Sequence, residues 1–98
     1  MTNLDSLIFD LGNTLKALTP AFDTAERDAE TLEDHSNELD ADLTASYAEV
    51  EASARAASTA RFYADALGER LDAIRKAISI LEDADETVRR GEKRRVLG

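Results

Sequence analysis

A seven-residue repeat constrains this chain more than any other feature. With Leu4 at heptad position d and Ile8 at position a, the count runs to Val88 without a change of phase. Apolar residues fill 11 of the 13 d sites and 10 of the 12 a sites. At an apolar fraction of 43%, about 11 of those 25 would be filled by chance. A sustained repeat of 3.5 residues makes a stripe that drifts slowly around a helix, and burying it requires a partner helix with left-handed supercoiling. The fold class expected is all-α: an elongated coiled coil in a homo-oligomeric bundle.

Composition agrees. Only 5% of the 98 residues are aromatic and alanine dominates the apolar set, so the chain lacks the bulk for a large core of its own. With no Cys, disulfides and thiolate metal sites are excluded. No Lys or Arg precedes Lys16 and no apolar run approaches membrane-spanning length, so neither a signal peptide nor a transmembrane segment is expected. The cytoplasm or a virion is the expected setting. Net charge is −9, divided as −11 over residues 1–54 and +2 over residues 55–98. Nucleic acid and membrane are therefore not expected partners.

Thr19-Pro20 reads as a helix start or a kink: Thr19 can serve as N-cap with Pro20 at the first helical position, and Pro20 at the outermost site f allows a kink that leaves the stripe continuous. This divides the chain into an N-terminal docking helix (residues 1–19, helical over about 4–18), a coiled-coil helix (20–90) and a basic tail (91–98). The long helix would span about 105 Å at 1.5 Å per residue. Asp34-His35-Ser36-Asn37 is the one cluster of turn-favouring residues and leaves a hairpin there open, although a loop usually resets the heptad phase and here the phase passes through unchanged. Gly68 weakens the helix without ending it, and Gly91 reads as its C-terminal stop.

The oligomer interface expected along the seam comprises Leu32, Leu39, Leu43, Val50, Leu67, Leu71, Ile74, Ile78 and Leu81. Ser46, Ser53, Ala57, Ala60 and Ala64 make its middle thin. The chain itself is the expected partner, as dimer or trimer. Direction stays open: parallel pairing opposes Asp28 to Glu33 and Arg70 to Arg75, whereas antiparallel pairing, centred near residue 55, lays the acidic half against the Arg-bearing half.

Leu7-Ile8-Phe9-Asp10-Leu11-Gly12-Asn13-Thr14-Leu15 resembles the nucleophile loop of haloacid dehalogenase-type phosphohydrolases, Asp-x-Asp-x-Thr after an apolar strand. The resemblance puts Asp10 at the nucleophile and Thr14 at the closing position, but Gly12 stands where the general acid/base belongs. It covers nine residues, and nothing after residue 20 reads as strand. His35, the one histidine, falls at position g on an acidic helix and reads as an exposed flank residue. The acidic pairs Glu33/Asp34 and Asp83/Asp85 read as solvated helix faces, since calcium loops need a tight turn with converging oxygens. No catalytic residue, metal ligand or cofactor is expected.

Two features suggest docking. Leu7 and Phe9 widen the apolar arc of the N-terminal helix, which is expected to anchor the rod in a larger protein assembly. Phe62 and Tyr63, at f and g, join Ala45, Ala52, Ala56 and Ala66 in a second, weaker apolar stripe. Arg89–Arg95 is the one basic run and reads as a tail complementing the helix dipole. The function expected is that of a non-enzymatic, self-associating structural rod or connector, in a phage or virion on grounds of composition. The alternative is a helical-hairpin adaptor or secretion partner. The chain is similar in size to WXG100-type proteins but lacks their Trp-x-Gly turn.

Overall fold

The computed structural model describes residues 3–97, with side chains for residues 3–91. Met1, Thr2 and Gly98, at the extremes of the expected docking helix and tail, lie outside the described residues. Two helices account for the fold: α1 (Asn3–Ala41) and α2 (Tyr47–Leu97), joined by a short turn into an antiparallel hairpin with Cα extents of 80 × 16 × 14 Å. Asp5 stands beside Arg89, Phe22 beside Gly68 and Glu33 beside Arg61, so the register steps evenly towards the turn.

The all-α expectation stands, but the helix boundaries are corrected. Pro20 lies inside α1. Thr19 is not an N-cap, because its Oγ1 donates back to the Leu15 carbonyl at 2.7 Å. Proline removes one backbone hydrogen bond and crowds the preceding turn. Pro20 sits on the exposed side of α1, where water can solvate the freed carbonyl, while Leu18 and Phe22 pack on the seam either side. Gly91 is likewise no stop, since α2 continues to Leu97.

The single helix expected over 20–90 is broken at residues 42–46. Asp42 N–H donates to the Leu39 carbonyl at 3.1 Å, closing the last turn of α1, and Ala45 N–H donates to the Asp42 carbonyl at 3.2 Å. Asp42 Oδ1 accepts from the Thr44 N–H at 2.9 Å and from its hydroxyl at 2.7 Å, an Asx turn. Ser46 then caps α2: its Oγ accepts the Glu49 N–H at 3.1 Å, and its carbonyl accepts the Val50 N–H at 3.1 Å. Ser46 and Glu49 also stand at capping-box spacing.

The heptad stripe is the seam of this hairpin. Among the described residues, all that are buried fall at a or d: Ala25, Ala29, Ala57, Ala64, Leu67, Leu71 and Asp85. Alanine at four of these sites lets the backbones approach closely. Phe22 lies over Gly68, where an added Cβ would come within 3.1 Å of its ring. The open end is wider, with Leu4, Ile8, Leu11 and Leu15 on α1 and Ile74, Ile78 and Leu81 on α2 all half-buried. Asp85 is a polar intrusion at an a site. Arg89 Nη2 is 3.0 Å from its carboxylate and 3.2 Å from that of Asp5, so one guanidinium ties the free end of the hairpin across both helices.

Leu71, 1% exposed, is the largest fully buried side chain. Leu71→Ala is expected to destabilise the fold by about 2–5 kcal/mol in urea unfolding. Leu43→Ala, at a fully exposed site, should change stability by less than about 0.5 kcal/mol. Equal effects at the two positions would contradict the seam described here.

Candidate interaction surface

In an antiparallel pair, e positions of one helix flank e positions of the other, and g flanks g. The two flanks of this hairpin differ sharply. On the e side Arg61 donates from Nε to Glu33 Oε1 at 3.2 Å and again from Nη2, and its Nη1 lies 3.6 Å from Glu26. The Glu33 hydrogen bond, foremost, and the nearby carboxylates hold the Arg61 pKa above its ordinary value. Asp5 and Arg89 are a second e–e pair. These links close the e side with charge.

The g side has no such bridge among the described residues and is recessed. One open groove of about 550 Å³ is lined by Pro20, Ala21, Thr24, Ala25, Asp28, Leu32, Ala60 and Tyr63. A second, of about 530 Å³, is lined by Leu32, His35, Leu39, Glu49, Ala52, Ser53 and Ala56. Leu32 is a wall of both, so the recess follows the hairpin from its middle to the turn. Small side chains at g and c on α2 make the recess, and tyrosine and leucine edge it.

The expected interface residues are placed as follows. Leu67 and Leu71 are buried, and Leu32, Leu39, Val50, Ile74, Ile78 and Leu81 are half-buried along the seam between α1 and α2. Leu43 fits position a by count and stands in the turn, 101% exposed, where it takes no part in the seam between α1 and α2. The four docking candidates are all exposed, yet they do not share one patch. Leu7 and Tyr63 are at g, on the recessed side; Phe9 at b and Phe62 at f point elsewhere. Ile80, exposed at c, joins the recessed side and was not singled out from sequence, since an isolated isoleucine at c carries no signal until the flanks are known.

Charge is more concentrated than the halves of the sequence suggested. Residues 28–54 contain nine Asp and Glu and no Lys or Arg, so the turn end of the hairpin carries the entire formal charge of −9, and the remainder sums to zero. His35 is exposed within this acidic end, as expected. The pair Asp83/Asp85 is split, with Asp83 exposed and Asp85 buried in the seam, because residues two apart on a helix point in different directions. No group of His, Asp and Glu suited to a metal ion occurs among the described residues. The segment resembling a phosphohydrolase loop is plain helix: Thr14 Oγ1 donates to the Asp10 carbonyl at 3.1 Å one turn back, and no strand precedes it among the described residues. Arg89 and Arg90 are spent locally, on Asp5 and Asp85 and on Glu86 respectively. Among the described residues no helix is long and apolar enough to cross a membrane.

Searches of family models, curated proteins and solved structures found no match to this chain.

The two hydrogen bonds from Thr44, backbone first, hold the Asp42 carboxyl below the usual aspartate range. Because the folded value is depressed, its stabilising contribution is complete above about pH 4 and is lost as pH falls through the lower folded value. In an NMR titration the Asp42 carboxyl should have its midpoint below the value of about 3.9 usual for an aspartate in an unstructured peptide, and Asp42→Ala should raise the pH at which the turn melts in acid. An Asp42 midpoint at or above that ordinary value would contradict the Asx turn.

Proposed function

We propose that this chain is a non-enzymatic, self-associating structural protein whose hairpin serves as a rigid connector. The observation that carries the reading is the incomplete burial of the heptad stripe. Two helices can hide only one side of each other, and here most of the large seam residues remain half-exposed beside a recessed flank lined mainly by Ala, Leu and Tyr, with Asp28, His35 and Glu49 among its walls. A helix that stays apolar beyond its first partner requires a second one. The e side is already closed by ion pairs, which leaves the g side for association. Leu7 and Phe9, both exposed at the open end, are the proposed attachment to a larger assembly, for which a phage or virion remains the proposed setting.

A second reading draws support from the hairpin itself: an adaptor or secretion partner that receives helices of a different protein on the same flank. The turn Asp42-Leu43-Thr44-Ala45-Ser46 contains no Trp-x-Gly, so the likeness to WXG100-type proteins is one of size only.

Copy number separates the two. Light scattering coupled to size exclusion, at tens of micromolar protein, is expected to give a multiple of the 10.7 kDa chain mass. A monomer throughout that range would contradict self-association and favour the adaptor.

A further inference from the structure

We infer that two hairpins pack face to face through their g sides, in antiparallel orientation, to form a four-helix bundle with the acidic turns at opposite ends. This rests on the self-association proposed above and assigns it a face, a copy number and a direction.

The face follows from the asymmetry between the flanks. Arg61, Glu26 and Glu33 occupy the e side, and covering them would desolvate charges already paired. The g side offers Ala21, Ala56, Ala66 and Tyr63, and its charged residues, Asp28, Glu49 and Arg70, make no bridge between the two helices among the described residues, so covering them breaks no existing pair across the hairpin. Its size suffices: α1 is about 58 Å long at 1.5 Å per residue, and the hairpin is 16 Å wide, which gives on the order of 900 Å² per copy. A stable interface needs about 800 Å² per partner. A recess that runs along both helices is covered across its full 16 Å width by a second hairpin, whereas a single added helix, about 10 Å across, would leave part of it wet.

Direction follows from charge. A parallel pair brings two turn ends of −9 side by side and sets Glu38 within about a turn of Glu49 of the second copy, twice. The antiparallel pair, centred near Phe22 and Gly68, places each acidic end over the other copy's neutral half. It also sets Asp10 level with His35 of the second copy, and Arg70 within about one turn of its Tyr63, where a guanidinium can lie on the ring. Neighbouring helices are antiparallel in either arrangement, as in four-helix bundles with short loops, so charge decides between them.

Because the chain has no Cys, one spin label can be placed at the exposed end of α1 by Ala41→Cys. Dipolar spectroscopy is expected to give a distance of about 50–60 Å between labels in the dimer, the length of α1. In parallel, Ala66→Glu, at the centre of the g side, should weaken dimerisation at least about tenfold, whereas Ala54→Glu, on the e side, should not. Both sites are exposed, and circular dichroism checks that the helices persist. A dimer with labels less than about 30 Å apart, or one weakened by Ala54→Glu and not by Ala66→Glu, overturns this inference and leaves self-association intact. A monomer overturns both.

Discussion

Two α-helices can shield only one strip of each other from water, and that limit governs everything about this molecule. The strip is narrow where alanine allows close approach, at Ala25, Ala29, Ala57 and Ala64, and wide at the open end, where leucine and isoleucine remain half-covered. A chain with 5% aromatic residues has no larger side chains with which to thicken it. Apolar surface beside the seam is therefore a consequence of the architecture, not an accident of a few exposed residues. Arg61 and Arg89 bridge the two helices on the e flank, and the recess lies on the other.

Electrostatics acts on top of this packing. The acidic residues around the turn suit the N-terminus of α2, where Glu49 and Glu51 meet the positive end of the dipole, but oppose the C-terminus of α1, where Glu38 and Asp40 meet the negative end. The turn holds nonetheless, because Asp42 and Ser46 satisfy backbone donors directly. A turn end loaded with like charge resists the approach of another such end. That gives the molecule a polarity along its 80 Å length, and association is expected to respect it.

Much of the packing was legible in the sequence, and the topology was not. The heptad count names the buried positions, down to the intrusion of Asp85 at an a site. It is blind to the turn because Leu39 and Val50, the seam residues on either side, are separated by eleven residues, a d-to-a interval of the same repeat. Asp34–Asn37 looked more like a turn by composition, yet it lacks a cap: the working signals were the Asp42–Thr44 Asx pair and Ser46 with Glu49 three residues on. Pro20 misled in the other direction, since its position on the outer face makes it tolerable in mid-helix. Gly68 reads as a weak point until the register places Phe22 over it. The closed and open flanks become visible only once residue 61 is known to face residues 26 and 33.

The account rests on the chain folding back on itself, and the most direct test is one distance within a single molecule. Spin labels at Thr14→Cys and Lys76→Cys, exposed positions nearly level across the hairpin, are measured after dilution with excess unlabelled protein so that only intrachain pairs contribute. The hairpin predicts a separation on the order of 20 Å, two neighbouring helix axes plus the label arms. A continuous helix would put the same labels about 90 Å apart at 1.5 Å per residue, and the absence of any short distance would contradict the account.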